Sequence, residues 1–86
     1  MPTILVADDC AEDRKRIGAI LEQDRNLQVV CVADGAEALV QFETEKPDLL
    51  LTDLQMPKMD GLDLIRAVRQ KCGSTPIVVM TSHGNQ

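Results

Sequence analysis

The chain has 86 residues, nine basic and fourteen acidic side chains, a net charge of −5 and a hydrophobic fraction of 44%. That length makes one domain over residues 1–86, and the apolar fraction excludes a disordered chain. The acidic balance and the single aromatic residue, Phe42, exclude nucleic-acid recognition through clustered cations or stacked bases.

No run approaches the roughly 20 apolar residues of a membrane span, and Met1 leads into an apolar stretch without the basic head of a signal peptide. A cytoplasmic protein with no membrane partner is therefore expected. Cys10, Cys31 and Cys72 are odd in number and lack C-x-x-C spacing, which suits neither structural zinc nor a disulfide framework. They read as buried or half-buried thiols in a reducing compartment.

In chain order, Thr3–Ala7 is a short apolar run of strand length. A helix follows from about Ala11 to Gln23, with Ile17, Ile20 and Leu21 at helical spacing and Glu12 and Asp13 in its first turn. Gln28–Val32 is the second strand. The second helix opens at Asp34, with Glu37 three places on as in a capping box, and carries Leu39, Val40 and Phe42. Asp48–Thr52 is the third strand. A third helix begins after Asp60, buries Leu62, Ile65, Val68 and Cys72, and is stopped by Gly73. Pro76 introduces the fourth strand, Ile77–Thr81.

Several of these strands are too continuously apolar for a sheet with one wet face. Alternation of strand and helix then predicts an α/β domain with a parallel sheet. Parallel crossovers are right-handed in about 98% of cases. If the chain reverses direction after the second strand, the strand order is 2-1-3-4, with the first helix on one face and the other two opposite. One helix cannot cover a face of four strands, and the fourth strand becomes an apolar edge. An incomplete domain is expected, with an edge able to pair two copies.

Ligand sites of parallel sheets lie beyond the carboxyl ends of the strands, where the order reverses. Asp8 and Asp9 follow the first strand, Asp53 the third, and Thr81 and Ser82 the fourth. Singly, each is ordinary for a solvated turn or a helix cap. Jointly they place three carboxylates and two hydroxyls on one rim. Close carboxylates raise one another's pKa unless a cation sits among them, and an all-oxygen site suits Mg²⁺. A carboxylate beside such a cation can attack phosphorus. The phosphate-binding motifs G-x-x-x-x-G-K-[ST] and G-x-G-x-x-G are absent, and His83 has no nucleophile elbow near it.

The segments Ile4–Asp9, Lys46–Asp53, Met56–Gly61 and Pro76–Ser82 together resemble the receiver domain of bacterial two-component response regulators. The resemblance implies a flavodoxin-like fold and a phosphorelay role. It makes Asp53 the acceptor of a phosphoryl group from a sensor histidine kinase or phosphotransfer protein. Asp8, Asp9, Asp53 and the backbone carbonyl of Gln55 become Mg²⁺ ligands, and Thr81 the switch hydroxyl.

Gln55 and His83 match positions that tune the lifetime of the acyl phosphate, and Pro57 and Gly61 shape the loop between. Asp34, Asp60 and Asp63 read as caps and first-turn acids, and Met56 and Met59 as loop packing. Such a module acts on itself and is not a dedicated enzyme. Aspartyl phosphatases on related sheets carry an Asp two places beyond the nucleophile, where this chain has Gln55.

Complete receivers continue with a helix, a fifth strand bearing a phosphoryl-pairing lysine, and a last helix. The sequence stops before them. Two readings stay open: a truncated phosphoacceptor, or a non-signalling fragment that self-associates through its fourth strand.

Overall fold

The computed structural model describes residues 1–56 and 58–80. Its elements are β1 (Thr3–Ala7), α1 (Ala11–Leu21), β2 (Gln28–Val32), α2 (Gly35–Glu45), β3 (Leu49–Asp53), α3 (Gly61–Lys71) and β4 (Ile77–Met80). The sheet is parallel throughout, in the order β2-β1-β3-β4. This is the strand order expected if the chain reverses after the second strand, and the flavodoxin-like fold that the resemblance implies.

β1 is buried along its whole length because it has neighbours on both edges and helices over both faces. Leu5, Ala7, Val32 and Leu50 point to one face, where they pack with Ala38 and Phe42 of α2 and Leu64 and Val68 of α3. α1 lies on the other face, against β1 and β2. There a Cβ built on Gly18 would stand 3.7 Å from Cys31 Sγ.

Local chemistry sets the helix starts. Asp34 Oδ1 accepts the Glu37 N–H at 2.8 Å, and Asp60 Oδ1 accepts the Asp63 N–H at 2.9 Å, so both acids are N-caps. Glu37 Oε1 reaches the N–H of Ala33 at 3.1 Å, closing its box one residue further out than the usual motif. α2 ends where Lys46 turns left-handed at φ 48°.

The structure corrects several details of the sequence reading. α1 ends at Leu21 and not near Gln23, because Gln23 and Asp24 donate to the carbonyls of Ile20 and Leu21 in a closing turn. The third strand is Leu49–Asp53, one residue later than expected. Asp48 instead caps its entry, with Oδ2 accepting the Thr3 N–H and its own N–H donating to the Thr3 carbonyl, both at 2.8 Å.

Ile20, Val40 and Leu62 are exposed. The buried stripe of α3 is Gly61, Leu64 and Val68, with Ile65 and the C-cap Cys72 only partly covered. Two apolar stripes overlap on this helix. α3 packs through the Leu64 stripe against α2, which turns Leu62 outward. Gly73 keeps an ordinary φ, and the helix ends instead where Cys72 becomes extended.

Cys31 is exposed rather than half-buried: β2 is a sheet edge, and the residue of α1 that faces this thiol is Gly18, which has no side chain to cover it. The Cys72 thiol is drawn down to about 6 by the Thr75 hydroxyl, 3.2 Å away, and then by Ser74. β4 is the opposite edge among the described residues, and Thr81 lies outside them.

The two stripes of α3 give opposite expectations. Leu64→Ala should cost about 2–5 kcal/mol in urea unfolding. Leu62→Ala should stay within about 0.5 kcal/mol of the parent. Equal losses would contradict the packing described.

Candidate functional site

The register of two neighbouring strands builds the site. Ala7 is paired with Thr52, so the next residues along β1 and β3, Asp8 and Asp53, emerge side by side at the carboxyl edge of the sheet. Asp8 and Asp53 are buried, while Asp9, one step further into the loop, is exposed. Carboxylate oxygens of all three lie within 4.8 Å of one another.

Asp8 is fixed from three directions. Its N–H donates to the Val32 carbonyl of β2 at 3.2 Å. Its Oδ1 accepts the Cys10 N–H at 2.9 Å, and its carbonyl accepts Nη1 of Arg14 at 2.7 Å. Asp53 Oδ1 accepts the Gln55 N–H at 3.2 Å, and the Asp53 carbonyl accepts the Thr52 hydroxyl at 2.9 Å. Both short turns therefore fold back onto the carboxylate that precedes them.

The loop between β3 and α3 is held from below and from the side. Met56 is buried in the core and Met59 packs against it, as expected of loop packing. The Gly61 N–H donates to the Leu54 carbonyl at 2.8 Å, and a Cβ at Gly61 would collide with the Asp53 carbonyl. A Cβ at Gly35 would likewise strike the carbonyl of Met59. Lys58 Nζ pairs with Asp34 Oδ2 at 3.6 Å, and the Glu37 N–H together with this lysine holds the Asp34 carboxyl below its ordinary range.

Comparison with known proteins covers almost the whole chain. The family model described as "Response regulator receiver domain" matches residues 4–86. The chain belongs to the response regulator receiver domain family.

Among curated relatives, this receiver is 39% identical over 84 residues to a protein-glutamate methylesterase/protein-glutamine glutaminase of Koribacter versatilis. A protein of the same name from Pseudomonas putida is 40% identical over 80 residues. The matches take in 96% and 92% of this chain but only 23% and 21% of those relatives. Among solved structures, a receiver domain protein of Clostridium thermocellum superposes with a TM-score of 0.89 at 29% identity, covering 99% of this chain and 68% of that one. A chemotaxis response regulator of Vibrio cholerae gives 0.84 at 32% identity, covering 100% of this chain and 75% of that one.

Of the residues expected at the site, the receiver brings Asp8, Asp9, Asp53 and the backbone of Gln55 together. Pro57, Thr81, Ser82 and His83 lie outside the described residues. The sequence reading missed Arg14, Lys58 and the Cys10 N–H. A cation six residues after the first strand's acid, in the first turn of an otherwise acidic helix start, was the available signal for Arg14.

The donor set fits a hard divalent cation: carboxylate oxygens alone, two of them buried, on an open rim. Burial pushes the Asp8 carboxyl above 3.8, helped by the neighbouring charges of Asp53, Asp13 and Asp9 and opposed by the Cys10 N–H. The folded, metal-free receiver therefore binds a proton at Asp8 more tightly than the unfolded chain. The contribution of Asp8 to stability should fall as pH rises from about 3.8 through the raised value, opposite in sign to that of Asp34.

Asp8→Asn keeps an oxygen for the Cys10 N–H while removing the buried charge. It should raise the thermal midpoint of the metal-free protein at pH 7 by a few degrees. It should also abolish any stabilisation by millimolar Mg²⁺. A lower midpoint with the Mg²⁺ response intact would refute this electrostatic account.

Proposed function

We propose that this receiver is a phosphoacceptor module of a two-component system. Asp53 takes a phosphoryl group from a phosphohistidine on a sensor histidine kinase or phosphotransfer protein in the cytoplasm. The observation that carries the reading is the convergence of Asp8, Asp9 and Asp53 within 4.8 Å at the point where strand order reverses.

An oxygen of the Asp53 carboxylate forms a bond to phosphorus as the phosphorus–nitrogen bond of the phosphohistidine breaks, and the bonding pair leaves with the imidazole. The Gln55 N–H orients the attacking carboxylate. Asp8 and Asp9 hold Mg²⁺ with Asp53 and the Gln55 carbonyl. When bound, Mg²⁺ supplies the charge neutralisation that lets an anionic nucleophile meet an anionic phosphoryl group. By the family resemblance, Thr81 is assigned the switch hydroxyl, and Gln55 and His83 the positions that tune the lifetime of the acyl phosphate.

The product is the modified receiver itself, so the chain is a self-acting switch and not a dedicated enzyme. The methylesterase and glutaminase named for the relatives belong to chains of which this one spans about a fifth. We propose that phosphorylation of such a segment governs an attached or separate output.

Incubation with acetyl phosphate and Mg²⁺ should add one phosphoryl group to the intact mass. Asp53→Asn and omission of Mg²⁺ should each remove it. An adduct that survives Asp53→Asn would overturn the assignment. The chain has no Trp or Tyr, so mass is the direct readout.

One observation favours a second reading. Val78 is 46% and Val79 41% exposed on β4, an edge strand among the described residues. A second copy pairing along that edge would cover them. Light scattering across a wide concentration range should then show a dimer that Val79→Lys dissolves. A monomer throughout would dismiss this reading.

A further inference from the structure

We infer that Arg14 is a positioning residue for the cation site, setting its affinity by clamping the main chain of Asp8. The inference rests on the cation-dependent reading of the three acids.

Arg14 stands in the first turn of α1, where the helix dipole disfavours a cation. Its neighbours in that turn, Glu12 and Asp13, are the acids that the dipole favours. Asp13 pairs with Arg16 instead, at 3.5 Å and on the surface. Arg14 is partly buried, and Nη1 donates to the carbonyl of Asp8 at 2.7 Å. A guanidinium that bonds the Asp8 carbonyl holds the main chain at the start of the β1–α1 turn.

The geometry gives that bond its effect. The N–H of Asp8 is tied to β2 and its carboxylate to Cys10, so the carbonyl is the one remaining handle on this residue. With all three held, the β1–α1 turn cannot rotate its peptide. Asp8 and Asp9 then keep their carboxylates aimed at Asp53 despite mutual repulsion. Without the clamp, the like charges would relax apart and the cost of reassembling them would be drawn from cation binding. Groups that orient metal ligands in this indirect way commonly control affinity by about 10–100-fold.

Electron paramagnetic resonance titration with Mn²⁺ tests this on the whole chain, alongside the thermal midpoint of each metal-free protein. Arg14→Met keeps the half-buried stem and the helix propensity but loses the donor. Its Mn²⁺ affinity should fall about 10-fold or more while its metal-free midpoint stays near the parent's. Arg14→Lys, with a long donor restored, should recover most of the affinity. Arg14→Gln, too short to span the same distance, should behave like Arg14→Met and serves if that variant does not fold.

Unchanged affinity in Arg14→Met or Arg14→Gln would overturn the role of Arg14 while leaving the cation site standing. So would a loss of affinity matched by a proportionate fall in the metal-free midpoint, since that marks a general folding defect. Absence of Mn²⁺ binding by the parent, or binding unaffected by Asp8→Asn, would overturn the cation reading itself and this inference with it.

Discussion

The register between β1 and β3 is the constraint on which the rest of this molecule depends. Opposition of Ala7 and Thr52 brings Asp8 and Asp53 out of the sheet at the same height. A slip of one residue would send every side chain of a strand to the opposite face. It would bury Ile4 and Val6 in place of Leu5 and Ala7 under α2 and α3, and separate the two acids. The core therefore enforces the geometry of the site. Leu5, Leu50 and Leu64, all fully buried, thereby specify the placement of the two carboxylates.

Like charges resist that placement. Asp8 lies in a buried position with three acids close enough to push its carboxyl upward. The fold tolerates this because the main chain is over-determined. β2 holds one side of the Asp8 peptide, α1 the other, and the Cys10 N–H meets the carboxylate. On the β3 side, Gly61 brings the start of α3 against the Asp53 carbonyl, closer than any side chain permits. Lys58 and the close approach at Gly35 join the same loop to the start of α2.

The architecture was legible in the sequence because strands buried on both faces have a plain signature. The run Ile4-Leu5-Val6-Ala7 has no polar position at which a wet face could begin. Handedness then set the faces of the helices, and Asp34 and Asp60 announced two of the helix starts. Stripe choice on α3 was not legible. Leu62, Leu64, Ile65 and Val68 satisfy two helical stripes, and only the position of α2 decides between them. The three acids were visible as strand-terminal residues. Arg14 was passed over, because a side chain that bonds a carbonyl leaves no partner residue type to search for, and a cation among the acids of a helix start was its one signal.

Energetically, the rim inverts the logic of the core. Every contact under α2 and α3 lowers the free energy of the folded chain, whereas the assembly of Asp8, Asp9 and Asp53 raises it. Proteins retain such local cost where function requires it. In the proposed reading the cost is also the source of affinity for a cation. A preassembled set of repelling carboxylates gains more from a cation than a relaxed set does, since the work of bringing the charges together was already done by folding. The same strain argues that the cation and the fold are coupled: what holds the acids in place without the ion determines how tightly the ion is held.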